Sequence, residues 1–404
     1  MSLVASWLHT TYVGWVANCH SFTDILRARS RRCLVLRSVL AVIGALCLLV
    51  FSQLAPAAIE NSRVADKAPA SVLFLNPGFS DEPFWVGYSA FMQAAADDLG
   101  MQLQIIYAER NQQNLLEQLG TLLASGKQPD YLLFVNERST APEILRLFEH
   151  SPTKLFSLNS TLTADQQQFV GGSRQRYPNW IGSLVANDEE AGYWMAKALI
   201  AKLNGRAGSL LGFTGTRDTP AATLREEGLH RALLEHPEVK LEQLLYGEWS
   251  RQRAYTQAQL MLQRYPDVQL IWSANDEMAF GAMQAAQEMS KQPGKDIFFS
   301  ALNNSEEVLQ ARMDDKLCVL VGGHFTLGGW ALVMLHDYHA GLDFAERGGK
   351  DRVDQVFTLL DKDQAKRLMR RLKTPGYALD FRQFSAVYRP QMKDYRFSIQ
   401  PLLQ

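Results

Sequence analysis

From Ser71 onward, short apolar runs alternate with longer amphipathic stretches. The run "SVLFL" (71–75) is continuously apolar, as a strand covered on both faces would be. It is followed by "PFWVGYSAFMQAAADDLG" (83–100), whose apolar positions recur at helical spacing and whose last glycine marks a stop. The alternation repeats through "QLQIIY" and "NLLEQLGTLLASG", then "YLLFV" (131–135) and a helix beginning near Pro142, then "KLFSL" (154–158). A second series leads "WIGSLVA" into "NDEEAGYWMAKALIAKL" and "SLLGF" into "TLREEGLHRALLEH". It continues with "VKLEQLLY" into "RAYTQAQLMLQRY", "VQLIW" into "SANDEMAFGAMQAAQE", and "DIFFSAL" into "SEEVLQARM". Such alternation predicts βαβ units, parallel sheet and an α/β fold. The units are too many for one small open sheet. Two doubly wound lobes accommodate them, and a single (β/α)8 barrel is the structural rival.

The first 58 residues follow a different pattern. Arg27, Arg29, Arg31, Arg32 and Arg37 precede "SVLAVIGALCLLVFSQLAPAA" (38–58). The apolar core, Val39 to Phe51, is shorter than the roughly 20 residues a membrane span needs and suits a signal peptide. Ala55 and Ala57 form a small-x-small site, so 1–57 is expected to be an export signal cleaved after Ala57. An uncleaved membrane anchor is the competing reading. Residues 1–33 are long for a leader, and "SRRCLV" (30–35) loosely resembles a twin-arginine signal. No cysteine closes the apolar core as a lipid-anchor site requires. Cys19, Cys33 and Cys47 fall in the leader, which leaves Cys318 without an internal disulfide partner.

Charge narrows the function classes. With 41 basic against 42 acidic residues there is no electrostatic footprint for nucleic acid. Gly205 and Gly208 precede the strand "SLLGF", whereas a dinucleotide loop needs them after it. There is no Gly-Lys-Ser/Thr phosphate loop, no His-Glu-x-x-His and no Gly-x-Ser-x-Gly. His336 and His339 read as surface or core residues, and Asp361-Lys362-Asp363 lacks calcium-loop spacing. The expectation is a chain with no catalytic constellation, no cofactor and no metal.

In either α/β architecture the C-terminal ends of the strands face the working cleft. The residues there are Asn76 to Glu82, Asn136, Asn159, Asn187, Asp188, Thr214 to Asp218, Trp249, Asn275 to Glu277, Asn303 and Asn304. Asparagine recurs. It offers both a donor and an acceptor to a hydroxylated ligand, although it also favours caps and turns. Asp276 and Glu277 suit the start of a helix, where negative charge is stabilised. Asn275 is the residue expected to meet a ligand.

Three stretches carry a family resemblance: "NDEMAFGAM" (275–283) after the turn "YPDV", "EPFWVGYSAFMQAAADDLG", and "AATLREEGLHRALLEHPEV". Together they closely resemble type I periplasmic sugar-binding proteins over roughly Ser71 to Gly341, with the ribose-binding branch nearest. "PDYLLFVNERSTAPEILRLFEHSPTKLFSLN" also resembles periplasmic autoinducer receptors. Cytoplasmic repressors of this fold carry a DNA-binding headpiece, and here a signal-like segment stands in its place. The resemblance implies two lobes joined by three crossing strands, with ligand held between them. The first lobe would comprise 58–186 with 324–350, the second 187–323, and 351–404 would be an extension packed on a lobe.

Binding residues follow from the same resemblance. Phe84 and Trp85 match the first lobe's stacking pair and Trp249 the second lobe's aromatic residue. Asn275 and Asn136 match polar positions. Elsewhere the chain departs from the ribose pattern: Glu82 replaces an asparagine, Asn159-Ser160 an Asp-Arg pair, and Asn303 an aspartate. Arg225 stands two residues beyond an expected arginine, and Gly323 or His324 falls where a glutamine belongs. These departures argue against ribose itself. The implied role is a monomeric periplasmic receptor for a sugar-like small molecule. Its partner would be an ABC permease or a membrane sensor kinase. An exported α/β hydrolase and a ligand-free scaffold are the alternatives. The basic stretch before Pro375 reads either as a helix packed on a lobe or as a docking surface for the membrane partner.

Overall fold

Two six-stranded sheets organise the chain in the computed structural model, which describes residues 68–404. The expected export segment, with Cys19, Cys33 and Cys47, lies outside the described residues. The first sheet contains β1 (Ser71–Asn76), β2 (Gln102–Tyr107), β3 (Tyr131–Phe134), β4 (Lys154–Asn159), β5 (Trp180–Ala186) and β11 (Asp351–Asp354). Its order is β11-β5-β4-β3-β1-β2, and every pairing is parallel. The second contains β6 (Gly208–Thr214), β7 (Val239–Tyr246), β8 (Leu270–Ser273), β9 (Phe298–Leu302), β10 (Val319–Gly322) and β12 (Thr358–Leu359). Its order is β12-β10-β9-β8-β6-β7, parallel except for the edge pair β10–β12. Both sheets repeat one doubly wound pattern and end in free edges, which rules out the closed barrel.

Apart from α4, which no periodic run marked, the helices follow the strands as the periodicity predicts. They are α1 (Pro83–Leu99), α2 (Gln112–Ala124), α3 (Ala141–Leu147), α4 (Ala164–Val170) and α5 (Asp188–Ile200). Next come α6 (Pro220–Leu234), α7 (Arg251–Arg264), α8 (Asp276–Glu288) and α9 (Glu306–Met313). The last two are α10 (Leu327–His339) and α11 (Lys362–Leu372). Proline opens α1, where a missing N–H costs nothing, and Gly100 ends it at φ 65. β1, β3 and β4 are buried on both faces, whereas β2 lies at the sheet edge and is half exposed. Among the described residues no helix is long and apolar enough to cross a membrane.

The chain passes from the first lobe to the second after β5, returns after β10, and crosses again between β11 and β12. A fourth passage follows. Helix α11 packs on α9 of the second lobe, with ion pairs Lys373–Glu306 at 2.8 Å and Lys362–Asp315. The segment after Pro375 then packs on α1 and α10 of the first lobe. Phe91 meets Tyr377 and Phe381 edge-on at 5.0 and 5.1 Å, and Trp330 stacks on Phe397 at 5.2 Å. The fully buried Asp337 carboxylate fastens this segment. It accepts hydrogen bonds from Ser385 Oγ (2.5 Å), the Ala386 amide (2.5 Å) and the Tyr395 hydroxyl (2.8 Å). Arg352 adds a second fastening, to Asp394 and the Tyr395 carbonyl, both at 2.9 Å.

Candidate functional site

A narrow cavity with about 430 Å³ of atom-free space, the solvent at its mouth included, lies between the lobes. Glu82, Phe84, Trp85, Asn159, Arg225, Trp249, Asn275, Asn303 and His324 all line it. Asn136 does not. Its amide nitrogen donates to the Thr161 carbonyl (3.0 Å) and Gln166 Oε1 (2.7 Å), and its oxygen accepts from the Ala141 amide (3.1 Å). That side chain stitches two strand-end corners together. Its neighbour Glu137 reaches the cavity instead, along with Arg110, Ser160, Thr219 and Ala221.

Each lobe contributes a tryptophan wedged against a glycine just beyond its first strand. A Cβ on Gly78 would lie 2.0 Å from the Trp85 indole, and one on Gly215 would lie 1.9 Å from Trp249. Any larger residue would push these rings out of place. Phe84 packs edge-on against Trp85 at 4.9 Å and stacks face to face on His324 at 4.5 Å. The first lobe and the β10–α10 crossing therefore share one aromatic wall.

Backbone strain collects at the same corners. Arg110, Asn159, Trp249 and Asn303 all line the cavity and have φ of 54, 64, 65 and 133°. Asparagine tolerates the left-handed region better than most residues, whereas tryptophan and arginine do not. Such conformations cost about 1–3 kcal/mol each and persist where the surroundings hold them, characteristically at ligand-contacting sites.

The charged groups form two networks. Arg110 is clamped by Glu82 at 2.6 Å and Glu137 at 3.0 Å. Burial pulls its basicity down, but the two carboxylates outweigh that and raise it. Burial pushes the Glu137 carboxyl up, and Arg110 opposes this. Across the cleft, Arg225 donates to Asp188 at 2.7 Å and to the Ala274 carbonyl at 2.8 Å. Burial raises the Asp188 carboxyl despite that partner. His324 is held well below its ordinary pKa by burial and then by Arg225, so it is neutral.

The start of α8 joins structure to site. Asn275 is the N-cap: its oxygen accepts from the Met278 amide at 2.9 Å, and its nitrogen donates to the Trp249 carbonyl at 3.3 Å. It thus caps the helix and lines the cavity at once. Glu277 pairs with Arg251 at 2.9 Å. Asp276 does more than suit a helix start. Its buried carboxylate accepts from Asn303 Nδ2 and Ser305 Oγ, both at 2.6 Å, and so fixes the orientation of a cavity residue.

Two polar atoms on lining residues are buried without any hydrogen-bond partner: Ser160 Oγ and His324 Nδ1. Buried polar groups are nearly always paired, so atoms left over at a cavity wall mark places for ligand atoms. Arg110 was missed in the sequence because it follows β2, the only early strand end left out of the cleft inventory. Glu137 was missed by one position. The deciding factor there was the direction of a side chain at a turn, which spacing does not report.

Comparison with known proteins agrees with this architecture. The family model described as "Periplasmic binding protein domain" matches residues 72–342. The galactofuranose-binding protein of Escherichia coli K12 is 21% identical over 319 residues, spanning 78% of this chain and 95% of its own. The ribose import binding protein of Salmonella typhimurium is 26% identical over 243 residues, spanning 60% and 75%. Among solved structures, a periplasmic sugar-binding protein from Pseudomonas fluorescens superposes with a TM-score of 0.77 at 54% identity, covering 83% of this chain and all of that one. The arabinose transporter binding component from Shewanella gives a TM-score of 0.63 at 21% identity, covering 75% and 95%, and bears on the fold alone. With its two doubly wound lobes, its cleft and its matched span, the chain belongs to the type I periplasmic binding protein family.

Proposed function

We propose that the protein is the periplasmic sugar-binding component of an ABC importer. The observation that carries this reading is the pair of unpaired atoms, Ser160 Oγ and His324 Nδ1, inside a cavity walled by aromatic rings. Leaving a buried polar group unpaired costs about 1–3 kcal/mol. A molecule with hydroxyl edges and C–H faces removes that cost and covers the rings of Phe84, Trp85 and Trp249. Family membership and the 54% identical Pseudomonas fluorescens sugar-binding protein support the same reading.

Binding works by closure. Glu82, Phe84, Trp85 and Asn159 belong to the first lobe, Arg225, Trp249, Asn275 and Asn303 to the second, and His324 to a crossing. A ligand touching both sides favours the closed state by whatever contacts it makes only there. The moving bodies are the two sheets with their helices, and the permease reads the closed form. Titration calorimetry against pentoses, hexoses and their furanose-rich members tests the reading, paired with thermal unfolding. A ligand at about 100 times its dissociation constant stabilises the fold by about 2.7 kcal/mol. If no sugar in the panel binds, the proposal fails. If a sugar binds and is released chemically changed, the protein is an enzyme instead.

A further inference from the structure

The cleft does not end at the inner cavity. Asn159 and Ser160 are a shared wall: they line the inner cavity on one side and a second, open pocket on the other. This outer pocket has about 1140 Å³ of atom-free space. It runs between the β4–α4 corner of the first lobe and the start of α6 in the second. Ser160 is 4% exposed, and its hydroxyl has no partner, so the wall itself presents an unused polar atom.

The lining of the outer pocket defines what fits there. Thr223 supplies a hydroxyl, Thr161 and Thr163 supply hydroxyls already bonded to Ser157 and to the Gln166 amide but with capacity left for one more bond, and Pro220 with the exposed Leu224 supplies an apolar face. Asp165, Asp218 and Glu227 are its free acids. The one cation in this lining is Arg217, whose guanidinium lies 4.1 Å over the Tyr246 ring, and the remaining acid, Asp188, is paired with Arg225 behind it. That balance disfavours phosphate and carboxylate groups and accepts a neutral, hydroxylated one.

Resting on the sugar-binding reading above, we propose that the ligand is a neutral disaccharide or longer glycoside. One sugar ring occupies the inner cavity, and its partner passes the Ser160 wall into the outer pocket. The inner ring makes the aromatic and buried polar contacts. The outer ring lies across Leu224 and Pro220 and exchanges hydrogen bonds with the threonine hydroxyls.

The test compares L-arabinose with arabinobiose, and D-galactose with a galactofuranosyl disaccharide, by titration calorimetry on the protein and on its Thr223→Trp variant. Thr223 is exposed on α6, so the added ring fills the outer pocket without entering the core. The expected result is that in at least one pair the disaccharide binds about tenfold tighter than its monosaccharide. T223W then removes that advantage and leaves monosaccharide affinity unchanged. Equal affinity for both sizes overturns the extension and leaves the sugar-binding reading standing. An equal loss for both sizes in T223W does the same. If neither size binds in either pair, the extension falls, while the sugar-binding reading stands or falls with the wider sugar panel.

Discussion

Asp276 is a buried carboxyl with no cation beside it, and replacing it with asparagine gives a quantitative test of how the site is held. Burial pushes its pKa up to about 6 from an ordinary 3.8, even though Ser305 and Asn303 donate to it and favour the charged form. The folded value lies above the unfolded one, so the folded state holds the proton more tightly. The contribution is fully present below the unfolded pKa and is lost as pH rises through the folded one, between about 4 and 6. At about 1.36 kcal/mol per pKa unit, ionising Asp276 costs the fold about 3 kcal/mol by neutral pH. Asp276→Asn keeps an oxygen to accept from Asn303 and the Glu277 amide, and offers an N–H to Ser305. It has nothing to titrate. Urea unfolding of both proteins from about pH 4 to 7 should give a stability difference that moves about 3 kcal/mol in favour of the variant as pH rises. Subtracting the two curves cancels every other titrating group. Parallel curves would refute the argument, because they would mean that the carboxyl is either solvated or not perturbed. A variant that is more stable at neutral pH yet binds sugar as before would show that Asp276 orients Asn303 through geometry rather than charge.

Other outcomes follow from the same structure. Trp249→Ala removes the second lobe's ring and should weaken sugar binding about tenfold or more in calorimetry. Since His324 is held neutral by burial, its depressed pKa contributes stability above about 6.5 that is lost as pH falls. His324→Gln should therefore reduce the acid-induced loss of stability below about pH 6.5, seen in pH-dependent urea unfolding, by up to about 1.36 kcal/mol per pH unit. Asp337→Ala strands the donors of Ser385, Ala386 and Tyr395 in the core and should cost about 3 kcal/mol or more, with limited proteolysis cutting first after Pro375. Gly215→Ala should displace Trp249 and weaken binding without unfolding the protein, since the clash is confined to one ring at the cavity wall.

How much of this was legible in the sequence depends on what each feature rests on. The strands and long helices were legible because burial on both faces leaves continuous apolar runs such as 71–75, and amphipathic helices leave a regular period. The short elements α4, β10, β11 and β12 were not, because so few positions show no period, and α3, equally short, was marked by its proline rather than by periodicity. The cavity residues Glu82, Asn159, Trp249, Asn275 and Asn303 were legible from topology as strand-end residues, whereas Arg110 after β2 was not. Which of two neighbours turns inward was not, as Asn136 and Glu137 demonstrate. The role of Asp276 was also hidden. Its partners Asn303 and Ser305 lie on the next strand–helix corner, and only the pairing of β8 with β9 brings the two corners together.

The fourth passage of the chain bears on how such a molecule moves. Three links gathered between two bodies permit rotation about the line they define. A further link leaves that rotation free only if it lies on the same line; anywhere else it must lengthen as the bodies separate. Here the link is short, between Lys373, ion-paired to Glu306, and Tyr377, packed on Phe91. It is tied on the far side by Asp337 and Arg352, so it has little slack to release. Residues 373–404, beyond the matched span 72–342, therefore tie the lobes together a fourth time. A tie lying off the hinge line would limit how wide the mouth opens and, with it, the size of molecule admitted in each cycle of capture.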